Sequence, residues 1–161
     1  MAKIRTYWRI KRERTGSQPE ITNFIGNVLL IEGKLELYKL IIGESNTHLS
    51  SANSWIGIGN GDAPEDKNQI GLFGELQVYR LCDSGSPDDP NPVVEWNEIF
   101  NEWVITWRAT FFENEALFNW REYTLANGSN NSAININRKV HDQGVKPDDA
   151  IWTVYLSVAL I

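Results

Sequence analysis

Residues 102–112, Glu-Trp-Val-Ile-Thr-Trp-Arg-Ala-Thr-Phe-Phe, constrain the fold more than any other stretch of this chain. Trp103, Ile105, Trp107 and Ala109 fall on one side of an extended backbone, and Val104, Thr106, Arg108 and Thr110 on the other. Successive strand side chains point to opposite faces, so this segment reads as a long β-strand. Residues 151–160 repeat the pattern, with Trp152, Val154, Leu156 and Val158 alternating with Thr153, Tyr155 and Ser157. Further extended segments are expected at 3–12, 54–59, 74–82, 93–96, 117–125 and 133–140. The pair 93–96 and 102–112, joined by a turn around Asn101, reads as a hairpin.

Between these runs stand clear breakers. Residues 83–92, Asp-Ser-Gly-Ser-Pro-Asp-Asp-Pro-Asn-Pro, cannot sustain a helix or a central strand. Asn127-Gly128-Ser129-Asn130-Asn131 and Gly144-Val145-Lys146-Pro147-Asp148 are further turns. In residues 20–42, Phe24, Ile25, Val28, Leu29, Leu35, Leu40 and Ile41 recur at roughly helical spacing. Thr22 or Asn23 is the expected N-cap and Gly43 the C-cap, with Gly33 bending or dividing the segment. Many short strands after one helical region predict a mainly β protein, an antiparallel β-sandwich of jelly-roll-like kind with an N-terminal α-helical segment and a basic N-terminal arm. The division expected is 1–19 as arm or strand and 20–161 as a single sandwich domain.

Charge is unevenly placed. Lys3, Arg5, Arg9, Lys11, Arg12 and Arg14 face Glu13 alone in the first fourteen residues, whereas the whole chain has a net charge of −6. Tyr7 and Trp8 are interleaved with those cations, so the segment is either a solvated strand face or an arm that docks on an acidic neighbour. An acidic body repels phosphates, which argues against nucleic acid as the partner. Cys82 is the only cysteine, which excludes an intrachain disulfide and a cysteine-based zinc site. No apolar run approaches the ~20 residues of a membrane-spanning helix, and the basic start lacks a signal-peptide core. The expectation is a soluble chain not secreted by a cleaved signal.

The run Trp55-Ile56-Gly57-Ile58-Gly59-Asn60-Gly61-Asp62-Ala63-Pro64-Glu65 asks whether it cradles a phosphate, holds a metal or turns a strand. Asp62 and Ala63 stand where a P-loop needs Lys and Ser or Thr, and the third glycine comes one residue early for the dinucleotide fingerprint. Asn60, Asp62, Glu65 and Asp66 are close together but do not match the EF-hand positions. His48 and His141 lie in polar surroundings, and no serine sits in a G-x-S-x-G elbow. Carboxylate pairs such as Glu113 with Glu115 or Glu98 with Glu102 are of the kind any acidic protein offers. Trp103, Trp107, Trp120 and Trp152 are expected in the core or on a sheet face, with core preferred over an exposed row that would suit sugar binding. No catalytic residue, metal ligand or cofactor is indicated.

Three motifs point to a family. Ile105-Thr106-Trp107-Arg108-Ala109-Thr110-Phe111, then Ala116-Leu117-Phe118-Asn119-Trp120-Arg121-Glu122 with Ala126-Asn127-Gly128, then Asn137-Arg138-Lys139-Val140, resemble the second half of a family of small tailed-bacteriophage structural proteins. The glycine run from Trp55 to Asp62 and the helical region from Asn23 to Leu35 resemble its first half, so the likeness spans residues 20–161. The chain departs from the family at 129–132 and in the Pro/Asp loop.

The resemblance implies a non-enzymatic virion component without cofactor, assembled in the host cytoplasm. Its partners would be its own copies and other capsid or tail proteins, with no membrane. It makes the glycine run architectural, with Gly59 or Gly61 at positive φ. The role favoured is capsid decoration or cement, with Lys3, Arg5, Tyr7, Trp8, Arg9, Lys11, Arg12 and Arg14 as the assembly arm. The alternative is a tail-tip or fibre module binding host glycan, presented by Asp83, Asp88, Asp89, Asn127, Asn130 and Asn131 with exposed aromatics beside them.

Overall fold

The computed structural model describes residues 4–160. It is mainly β, with strands β1 (Ile4–Arg14), β2 (Glu20–Ile25), β3 (Val28–Leu29), β4 (Trp55–Gly59), β5 (Gln77–Leu81), β6 (Val93–Asn97), β7 (Glu102–Phe111), β8 (Glu122–Ala126), β9 (Asn137–Val140) and β10 (Ala150–Leu160). Among the described residues there is one helix, α1 (Ile31–Ile42), which follows β3. The strands form two five-stranded antiparallel sheets, in the orders β2-β1-β10-β7-β6 and β3-β9-β8-β4-β5.

Register explains the core of the first sheet. Trp8 pairs with Leu156, which pairs with Trp107; Ile10 pairs with Val154, which pairs with Ala109; and Trp152 pairs with Phe111. Partners in an antiparallel ladder share a face, so these residues form successive rungs of one buried surface. From the second sheet Ile56, Ile58, Tyr123 and Leu125 face them. Trp120 fills the space between the sheets, edge-on to both Phe111 and Trp152.

Several expectations change here. The basic segment is not a detached arm. β1 pairs with β10 from Ile4↔Leu160 to Arg14↔Ala150, and with β2 from Tyr7↔Ile25 to Arg12↔Glu20. Its even-numbered residues Thr6, Trp8 and Ile10 point into the core, while Arg5 and Arg9 lie exposed on the outer face. With both edges occupied between Tyr7 and Arg12, those residues cannot add a strand to a neighbour. Lys3 lies outside the described residues.

The helical region is shorter than expected. Residues 20–25 form β2 instead, with Phe24 inward and Ile21 and Ile25 outward. The N-cap is Leu30 rather than Thr22 or Asn23, whereas Gly43 does close the helix in the left-handed conformation at φ 76°. Gly33 neither bends nor divides α1: it lies against the Ile136 backbone, where a Cβ would collide. The hairpin of β6 and β7 stands as expected, with Asn101 at φ 55° in its turn.

Candidate functional site

The glycine run cradles an anion, and the anion is the protein's own. Gly57, Gly59 and Gly61 are absent from the positive-φ positions, which are Gly16, Gly26, Gly43, Gly71 and Gly144. These three glycines are needed for space. A Cβ on Gly59 or Gly61 would meet the Glu122 carboxylate, and one on Gly57 would lie 2.6 Å from the Tyr79 ring. Glu122 stands on the face of β8 turned away from the core, beneath the loop of residues 60–76. Its Oε1 accepts the N–H groups of Gly61 at 3.1 Å and Gly74 at 2.6 Å; its Oε2 accepts the N–H of Phe73 at 3.0 Å.

The fourth donor to this carboxylate is Arg138 of β9, whose Nε lies 2.8 Å from Oε2. Arg138 reaches on to the loop, donating from Nη1 to the carbonyl of Ala63 at 2.9 Å and to Gln69 Oε1 at 3.2 Å. The Phe73 ring lies 4.9 Å from its guanidinium carbon, in cation–π range. Both ionic side chains are fully enclosed.

Around them Tyr79 Oη lies 2.5 Å from Asn131 Oδ1 and 2.8 Å from Asn135 Oδ1, and the Glu32 carboxylate accepts the Asn135 N–H at 3.1 Å. Burial, with Glu122 and Glu32 nearby, pushes the Tyr79 phenol well above its ordinary range. The Glu122–Arg138 pair at its centre is shut from solvent, and Tyr79, Asn131 and Glu32 around it are partly buried, so the arrangement fastens a long loop to a sheet.

Neither the phosphate-loop nor the calcium-loop pattern foretells it. The signal was there in Glu122 and Arg138, two charges inside otherwise strand-like runs, but not their pairing.

The remaining predicted residues divide. Asn60, Asp62, Glu65 and Asp66 diverge: Asn60 accepts the Leu76 N–H, Glu65 the Val140 N–H and Asp66 the Asn68 N–H, while Asp62 faces Arg121. His48 is exposed, but His141 is half-buried and stacks on Phe24 with ring centroids 4.3 Å apart.

The presenting loops fold back on their own strands. Asp83 accepts Thr110 N–H at 2.9 Å and Oγ1–H at 2.6 Å, and Asp89 pairs with Arg108 at 2.9 Å. Arg108 holds the Asp89 carboxyl below its usual range. Asn127 accepts the Ile134 N–H, Asn130 the Ser132 N–H, and Asn131 clamps both the N–H and C=O of Leu72. Asp88 is left exposed. No aromatic residue stands within 83–92 or 127–131.

Beside the first loop Phe112, 45% exposed, lines a pocket with Asp83 and Ser84, and a larger exposed aromatic surface lies at the β6–β7 hairpin. Trp103 is 64% exposed, contrary to the preference for the core, whereas Trp107, four residues along the same face, is buried. The inner face of the first sheet overhangs at this end. Val94 pairs with Ile105 and Trp96 with Trp103, and the two indoles meet edge-to-face at 5.6 Å. Ile99, in the hairpin turn, is 86% exposed. On the outer face Phe100 stacks on Tyr7 with centroids 3.7 Å apart, and the Tyr7 hydroxyl bonds Glu102.

A second apolar surface runs along α1. Ile31, Leu35, Tyr38 and Ile42 are each more than half exposed, and their four-three-four spacing makes one stripe. Glu36 turns inward to meet Ser45, and Glu32 is taken by Asn135. Lys34 remains exposed beside the stripe.

Comparison with protein-family models, with curated proteins and with solved structures found no match to this chain.

Proposed function

We propose that this chain is a non-enzymatic structural subunit of a tailed-phage virion. Within the particle it acts as a capsid decoration or cement subunit, associating with its own copies and with neighbouring capsid proteins. The motif resemblance over residues 20–161 supplies the class, and a jelly-roll-like sandwich suits it.

The observation that carries the reading is the pair of apolar surfaces, the overhanging β6–β7 hairpin and the α1 stripe. Soluble monomers rarely expose contiguous apolar patches larger than a few hundred Å², whereas subunits of a shell cover such patches on assembly. The docking role assigned to the N-terminal segment passes to these surfaces, because β1 is integral to the first sheet.

Immunogold labelling of purified particles, with antibody raised against the chain, tests the assignment. Label spread over the head is expected. Label confined to the tail would transfer the subunit there, and unlabelled particles that react only after disruption would place it inside the shell. Particles without the chain would remove the proposal.

A further inference from the structure

At the opposite end of β1 from the exposed tryptophans, a cleft of about 350 Å³ opens between the β1–β2 turn and the loop at 143–147. It is lined by Arg12, Arg14, Ser17, Gln18, Glu20 and Gln143, with Trp152 at its base. That volume falls in the range of small-ligand sites.

Arg12 is held in place inside it. Its guanidinium lies 4.8 Å from the Trp152 ring centroid; Nη1 donates to Thr22 Oγ1 at 2.8 Å, and Nη2 donates to Gln143 Oε1. Gln143 is itself oriented by His141, whose Nδ1 lies 2.6 Å from Gln143 Nε2. Arg12 Nε is shut from solvent and makes no hydrogen bond.

A guanidinium has five N–H donors in a rigid fork and is always charged. Two of those at Arg12 are placed. Among the described residues Arg12 forms no ion pair, although Arg14 beside it is bridged to Asp149 at 2.7 Å. Its cross-strand neighbour Glu20 lines the same cleft without pairing with it. A fixed, half-enclosed cation with spare donors is a site for an anion, and the planar fork matches a carboxylate. The hydroxyl of Ser17 and the amides of Gln18 and Gln143 suit a ligand that also carries hydroxyl groups.

From this arrangement we infer that the cleft binds the carboxylate of an acidic sugar, with Arg12 as its anchor. The site is independent of the assembly reading, since it lies far from both apolar surfaces and needs no second copy. Glu20 is a built-in competitor: it repels the ligand and could itself turn toward Arg12.

The test is an amide-resolved NMR titration of the full chain with D-glucuronate, with D-glucose, acetate and inorganic phosphate as comparators. Saturable shifts at residues 12, 17, 18 and 143 with glucuronate, and weaker binding of the other three, are expected. Arg12→Gln should weaken binding at least about tenfold, the loss of a charge-assisted hydrogen bond. Glu20→Gln should tighten it severalfold.

Because Arg12 also covers Trp152, Gln18→Ala on the exposed turn serves as a variant without a folding role, and it should weaken binding. Absence of saturable shifts overturns the site. Equal binding of acetate or phosphate overturns the sugar assignment, an unchanged affinity in Arg12→Gln overturns the role of Arg12, and an unchanged affinity in Glu20→Gln overturns that of Glu20 as competitor.

Discussion

Arg138 Nε donates to Glu122 Oε2 at 2.8 Å with both side chains fully enclosed, and through this pair β8 and β9 hold the loop of residues 60–76. Removing one partner of a buried ion pair leaves an uncompensated charge, at a cost of about 3–5 kcal/mol. Glu122→Gln is therefore expected to lose that much stability in urea denaturation. Replacing both, as Glu122→Gln with Arg138→Met, should recover part of it. A double variant that loses the sum of the two single changes would show that the pair is not coupled.

Trp107 and Trp103 stand on one face of β7 and have opposite fates. Trp107 is buried, and its Nε1 donates to the Leu49 carbonyl at 2.9 Å. Trp107→Ala should cost about 3–5 kcal/mol. Trp103→Ser should change stability by no more than about 0.5 kcal/mol, as exposed positions do. The double change Trp96→Ser with Trp103→Ser should leave the fold intact and lower the sedimentation coefficient of any oligomer. An unchanged oligomer would free the hairpin from an assembly role.

Gly33 inverts the usual helix rule. Alanine in a helix interior is favoured over glycine by about 1 kcal/mol, yet a Cβ here would collide with the Ile136 backbone. Gly33→Ala is expected to lower the melting temperature. A rise would mean that α1 stands clear of residue 136.

His141 should make stability pH-dependent. Burial, then the charge of Lys139, lowers its pKa below the ordinary 6.5, with Asp142 opposing. The unfolded chain therefore binds the proton first as pH falls. Stability is full above pH 6.5 and declines as pH drops through the lower folded value. His141→Phe keeps an aromatic ring to stack on Phe24 and should flatten that part of the profile. Parallel melting-temperature profiles for the two proteins would contradict the assignment.

How far the sequence could be read depended on whether a strand's two faces differ. β7 and β10 show clean alternation, and the Asn101 hairpin follows from it. β2 hid because Ile21 and Ile25 lie outward while Phe24 lies inward, so its apolar residues occupy both faces. With Val28 and Leu29 following, the spacing imitates a helix. β1 was legible as a strand with a solvated charged face, but nothing local says that both its edges are paired. Trp103 shares its face with Trp107, and only the reach of the opposing sheet, a long-range property, separates buried from exposed. The Glu122–Arg138 pair depends on a loop some fifty residues earlier folding over β8. Charge type alone could not reveal it.

The proposed role makes this chain a repeated structural part of a virion. Quantitative mass spectrometry of purified particles, scaled to the major capsid protein, tests it most directly. A copy number comparable to that of the major capsid protein is the predicted result. A few copies per particle would contradict the decoration role in favour of the tail, and absence from the particle would contradict the claim altogether.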